Sequence, residues 1–153
     1  MAVSTTLPRA LILNQSVNFI PVTRSQARPP MLALSIVAPN GAHIAAGRKT
    51  LEIRSWQPPQ WPLRDLLIIE NRIFLTGEDE VDPDGLAVAV VDVDEVRAWQ
   101  PSELAAACAT AWKPDHWAWH VTHVRPVRGR FRLPAHRKLY DVEISEALRE
   151  SFR

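Results

Sequence analysis

From Met31 onward, apolar and polar residues fall into short runs broken by proline and glycine, and the two-residue period of strands recurs more often than a helical period. Leu32 to Val37 reads as a strand stopped by Pro39, Asn40 and Gly41. Gly41 to Ala46 then suits a brief helix closed by Gly47. Thr50 to Trp56 alternates, with Leu51 and Ile53 on one face and Thr50, Glu52, Arg54 and Trp56 on the other, as a half-buried strand requires. A loop holding Pro58, Pro59 and Pro62 leads to a strand at Asp65 to Glu70. After the turn residues Pro83, Asp84 and Gly85, Leu86 to Val93 is apolar and rich in valine, as a central strand is. Ser102 marks a helix start for Leu104 to Trp112, which Pro114 ends. His116 to Val127 and Arg132 to Ile144 complete the strands, and a short helical tail follows. The fold class expected is mixed α/β, mainly β: a small mixed barrel with helical inserts.

Residues 1–30 differ from the rest, with one short apolar stretch at Ala10 to Leu13 and two prolines just before Met31. They read as a mobile arm or an upstream extension, residues 31–144 as the domain and 145–153 as a C-terminal tail. The chain has 153 residues, which favours one domain. Its longest apolar run, Leu86 to Val91, is far short of the roughly 20 residues a membrane span needs, so no membrane is expected as partner. The lone cysteine, Cys108, forms no internal disulfide and no zinc knuckle. It reads as a buried helix residue, and a reducing cytoplasm is the expected location.

The net charge of +1 hides segregation along the chain. Between Glu78 and Glu95 there are eight carboxylates and no base; between Arg125 and Lys138 there are six bases and no acid. A globally basic nucleic-acid coat is excluded, but Arg125, Arg128, Arg130 and Arg132 offer a local strip for phosphate contacts. Solvated surface is the alternative for both runs.

The chemistry concentrates at Gly47 to Arg54. On a strand, Glu52 and Arg54 lie about 6.6 Å apart on one face. Lys49 stands at the join of helix and strand, so ammonium, carboxylate and guanidinium form a cluster able to grip a phosphate or the edge of a base. A surface salt bridge on an exposed strand face is the competing reading. Trp56, on the same face, is the best stacking candidate, with Trp61 nearby. Trp99, Trp112, Trp117 and Trp119 are expected in the core. His116 and His120 are about 13 Å apart on a strand and His123 points the other way, so no metal site is expected. One of these histidines as a general base near the cleft stays open.

The order Gly47, Lys49, Glu52, Arg54 resembles the signature of the ASCH domain, the activating-signal-cointegrator homology domain. The flanks are similar too: Leu34-Ser35-Ile36 with Pro39 and His43 to Ala46 upstream, and Asp65 to Asn71, Trp119 to Pro126, Gly129 and Tyr140 downstream. The resemblance spans about residues 31–144. It implies a PUA-like six-stranded barrel, with Lys49, Glu52 and Arg54 lining a cleft that binds RNA, a nucleotide or a modified nucleoside. It also implies a competing activity, a hydrolase acting on RNA (a ribonuclease) or on N4-acetylcytidine (an amidohydrolase), with Lys49 as base or electrostatic stabiliser and Glu52 as its proton-transfer partner. The acetylcytidine subgroup carries a threonine nucleophile at the position of Glu52 and a glutamate after the long helix. Here Thr50 is out of register and the nearest later acid is Asp115. No cofactor is implied, and the oligomeric state is not indicated.

Overall fold

The alternation from Met31 onward folds as six strands and two short helices within residues 28–153, the part that the computed structural model describes. The expected arm lies, as far as residue 27, outside these residues. In chain order the elements are β1 (Met31–Val37), α1 (Asn40–Ala45), β2 (Leu51–Arg54), β3 (Leu63–Asn71), β4 (Leu86–Ala98), β5 (Trp117–Pro126), β6 (Leu139–Val142) and α2 (Glu146–Ser151). One curled sheet takes them in the order β2-β5-β4-β3-β1-β6. The β1–β3 pair is parallel and the other four are antiparallel. A parallel pair needs a crossover, and the segment through α1 and β2 supplies it.

Both sheet faces are covered, which is why the central strands read as nearly continuous apolar runs. On one face Leu34, Ile36, Leu66, Ile68, Val91 and Val93 pack with Ile44 of α1 and Trp119. On the other, Met31, Ala33, Leu67, Ile69 and Val90 are closed over by Ala135 and by Leu148 of α2. The C-terminal residues 145–153 thus contribute a core side chain, and Arg28 pairs with Glu146 at 3.1 Å beside it. Gly47 ends α1 with φ +77, a backbone that a side chain would strain.

Four expectations are corrected. Leu104 to Trp112 is not a helix: a 3-10 turn at Pro101–Glu103, capped by Gln100, runs on into turns. Its carbonyls serve another element, since Ala106 O accepts the N–H groups of Thr50 (2.9 Å) and Leu51 (3.1 Å) at the start of β2. Cys108 is therefore no buried helix residue; it is exposed, with φ +51. Trp112 is 37% exposed rather than core, although its Nε1 donates to Trp99 O at 3.1 Å. Arg132 to Ile144 is a strand only at Leu139–Val142, preceded by isolated bridges at Arg132 and Ala135.

Candidate functional site

The turn segment covers one face of β2, where Leu51 packs with Trp99, Ala107 and Ala118. Its other face carries Glu52, opposite Trp119 in the sheet register. The cluster read from the sequence is therefore an interior one and no exposed salt bridge, with the side chains of Lys49 and Glu52 only 6% and 7% exposed and Arg54 at 21%.

These three groups form a line. Lys49 Nζ donates to Ala107 O (2.6 Å) and lies 3.5 Å from Glu52 Oε2. Arg54 Nε donates to Glu52 Oε1 (2.9 Å), and its Nη2 reaches Ser35 O (2.8 Å) on β1. Arg54 thus joins β2, one end of the sheet, to β1 near the other end. The gap that remains beside it is a cleft of about 310 Å³. Ser35 to Val37, Glu52 to Arg54 and Trp56 form its two walls; Asn71, Phe74 and Leu75 after β3 and His136 to Lys138 before β6 form the rest. Lys49 is not among the lining residues; it stands behind Glu52.

Two buried acceptors among the lining residues have no hydrogen bond: Glu52 Oε2 and Asn71 Oδ1. Asn71 Nδ2 is held by Ile73 O. Trp56 is fixed edge-on against Trp119 at 5.0 Å, with Lys138 Nζ 5.9 Å from its ring centre. Phe74, 79% exposed, is the aromatic side chain at the cleft with a free face. The hydroxyls of Ser35 and Tyr140 lie 2.8 Å apart, and Tyr140 donates to Pro134 O. Burial pushes the Tyr140 phenol above its ordinary value, against the opposing hydrogen bond from Ser35.

The basic run divides. Arg125 is turned away to Asp65 and Asp92, and Arg128 donates to the carbonyls of Glu150 and Arg153. Arg130 and Arg132 line a separate small cavity with Arg72. Only Arg137 and Lys138, at the end of the run, reach the cleft. His116 contacts Pro114 O and His123 contacts Asp92. Among the described residues, no three His, Cys, Asp or Glu side chains gather as a metal site. Sequence reasoning missed Asn71, Phe74 and His136, whereas Arg137 and Lys138 belong to the basic run it singled out; the one available signal for the others was the apolar triplet Ile73-Phe74-Leu75 in the loop after β3.

The solved structure of the ASCH protein from Zymomonas mobilis is similar over 68% of this chain and 74% of that one, at 14% identity and a TM-score of 0.46. A tyrosine-to-phenylalanine mutant of the same protein is similar over 68% and 76%, at 14% identity and a TM-score of 0.44. No curated protein matches the chain in sequence. The family model of the ASCH domain matches residues 34–129, which include β1 through β5 apart from the first residues of β1 and hold Lys49, Glu52 and Arg54. On that match the chain belongs to the ASCH domain family.

Proposed function

We propose that this ASCH protein binds RNA or a nucleotide, with a nucleobase held in the seam cleft. The observation that carries the reading is the buried Glu52 carboxylate at the cleft, held by Arg54 through Oε1 at 2.9 Å and ion-paired with Lys49 through Oε2 at 3.5 Å. An ionised carboxylate is an acceptor only, with about four lone-pair sites, and the contacts from Arg54 and Lys49 leave it capacity to accept an N–H of a ligand. Nucleobases bring such N–H groups, and Arg54 beside Glu52 offers a donor for a neighbouring base acceptor. Phe74 supplies a stacking face, and Arg137 and Lys138 supply positive charge at the rim.

Binding is favoured over hydrolysis because Lys49 stands behind Glu52 and its ammonium is held by Ala107 O. A base or stabiliser must reach the reacting atoms. Among the described residues no helix is long and apolar enough to cross a membrane; cytoplasmic residence is part of this proposal.

The test is titration of the protein with short single-stranded RNAs and with acetylated and plain nucleosides, while the pool is followed for turnover. Arg54→Ala is expected to weaken binding by roughly 5- to 150-fold, the equivalent of about 1–3 kcal/mol. Equal binding by wild type and Arg54→Ala would overturn the site. Conversion of any of these compounds, abolished in Lys49→Ala, would replace binding by hydrolysis.

A further inference from the structure

Strand alternation sends Asn71 into the seam cleft and its neighbours Glu70 and Arg72 to the other side of β3. There Arg72, Arg130 and Arg132 line a second cavity of about 160 Å³ with Glu70, Asp84 and Leu86. Arg72 directly follows β3; Arg130 and Arg132 belong to the segment that leaves β5 and bridges back to Leu86 of β4.

The backbone beneath these arginines is pinned. Asp82, 5% exposed, accepts from Arg72 N (3.0 Å) and Asp84 N (2.9 Å). Its own main chain pairs in both directions with Ala135, at 3.0 and 2.8 Å. Of the two carboxylates in the cavity, Glu70 already accepts from Ala42 N (2.6 Å), and Asp84 accepts from Arg132 Nη1 (3.0 Å). Among the described residues the guanidinium groups of Arg72 and Arg130 have no ion-pair partner. With Asp82 beneath them the charges balance, but Arg72 and Arg130 keep their guanidinium donors free of ion pairs at the cavity, and such donor forks suit the oxygens of a phosphate.

We propose that Arg72, Arg130 and Arg132 form a phosphate-binding subsite. It takes a backbone phosphate of a nucleic-acid strand whose base occupies the seam cleft, and for that source it rests on the function proposed above. Two continuous segments join the sites. Residues 70–75 supply Glu70 and Arg72 to one cavity and Asn71, Phe74 and Leu75 to the other; residues 130–138 supply Arg130 and Arg132 to one and His136 to Lys138 to the other. From Arg132 to His136 the chain spans at most about 14 Å, short enough for a small oligonucleotide to cover both.

The experiment follows the arginine Nε–H signals of the whole chain by NMR against inorganic phosphate, an RNA trinucleotide lacking terminal phosphates, and its component nucleosides. Phosphate and trinucleotide are expected to move the Arg72 and Arg130 signals, and the nucleosides to leave them. In the double variant Arg72→Gln with Arg130→Gln, trinucleotide affinity should fall roughly tenfold. The slope of its logarithm against log salt should flatten by about 0.7, for the one single-strand phosphate that the subsite holds. Nucleoside affinity should hold within twofold. Both substituted residues are exposed, and a melting curve checks that the variant folds. Arginine signals unmoved by both phosphate and trinucleotide, or unchanged trinucleotide affinity in the double variant, would overturn the subsite. If the nucleosides fail to bind wild type while phosphate still moves the arginines, the base reading fails and the subsite stands, with free phosphate as its source.

Discussion

At the scale of single residues, the buried pair Lys49–Glu52 and the clamp residue Asp82 have separable consequences. Glu52→Gln removes the carboxylate from an ammonium that is almost fully buried and retains only Ala107 O as acceptor. An uncompensated buried charge destabilises on the order of 3 kcal/mol, so this variant should melt well below wild type. Replacing both partners by apolar residues, Lys49→Met with Glu52→Leu, should recover most of that loss and none of the ligand binding. Comparing thermal unfolding of the three proteins checks the claim, and a double variant no more stable than Glu52→Gln would refute it. Asp82 behaves differently because backbone N–H groups hold it. The hydrogen bonds from Arg72 and then Asp84 put its carboxyl below the ordinary value. A depressed folded-state value means that the stabilisation is complete above the unfolded-chain value of roughly 3.9 and is lost as pH falls through the lower folded value. Unfolding free energy should therefore drop below about pH 4, and Asp82→Asn should be less stable at pH 7 and show a shallower acid decline.

At the scale of elements, α1 sits on β3 only because Gly41 has no side chain: a Cβ there would lie 2.9 Å from the Glu70 Cβ. Gly41→Ala should cost about 1–3 kcal/mol by overpacking, read as a fall in melting temperature, whereas an unchanged midpoint would show that α1 can lift from the sheet. This stretch also marks how far sequence alone reaches. β1, α1 and β2 were legible because each is bounded by its own signals, Pro39 to Gly41 on one side and Gly47 on the other, and because Leu51 and Ile53 alternate with Glu52 and Arg54. The turns after Pro101 were not. A run of alanines favours helix by local propensity, but the Ala106 and Ala107 carbonyls are taken by β2 and Lys49, and that demand arises some 55 residues earlier in the chain. The same non-local origin hid half of the site. Lys49, Glu52 and Arg54 share one stretch and could be found by spacing, while Asn71, Phe74 and His136 to Lys138 reach the cleft only through the curl of the sheet. Arg125 misled for a related reason. Register shifts between β4 and β5 and the positive φ of His123 and Asp65 turn these residues toward Asp92, so that Arg125 faces a carboxylate instead of the cleft.

At the scale of the whole molecule, the cleft is the place where a six-stranded sheet has not hydrogen-bonded its ends. β2 and β6 terminate the strand order, and Arg54 reaches across from β2 to the Ser35 carbonyl of β1. A ligand in that seam touches both ends of the sheet at once. It therefore binds the folded state and has nothing comparable to bind in the unfolded chain, so its affinity adds directly to global stability. With a short single-stranded RNA at about 100 times its dissociation constant, the gain is roughly 2.7 kcal/mol. For a domain of this size that corresponds to a rise in melting temperature of roughly 5–10 °C. Arg54→Ala removes the strap and one wall of the cleft together. Without ligand it should melt a few degrees lower, since two partly buried, charge-assisted hydrogen bonds, to Glu52 Oε1 and Ser35 O, are lost, and at the same RNA concentration most of the ligand-induced rise should vanish. The two effects separate in Ser35→Ala, which keeps the carbonyl that Arg54 uses and should therefore keep the strap, while losing only the hydroxyl contact to Tyr140. If RNA raises the melting temperature of Arg54→Ala as much as that of wild type, the ligand does not sit in the seam.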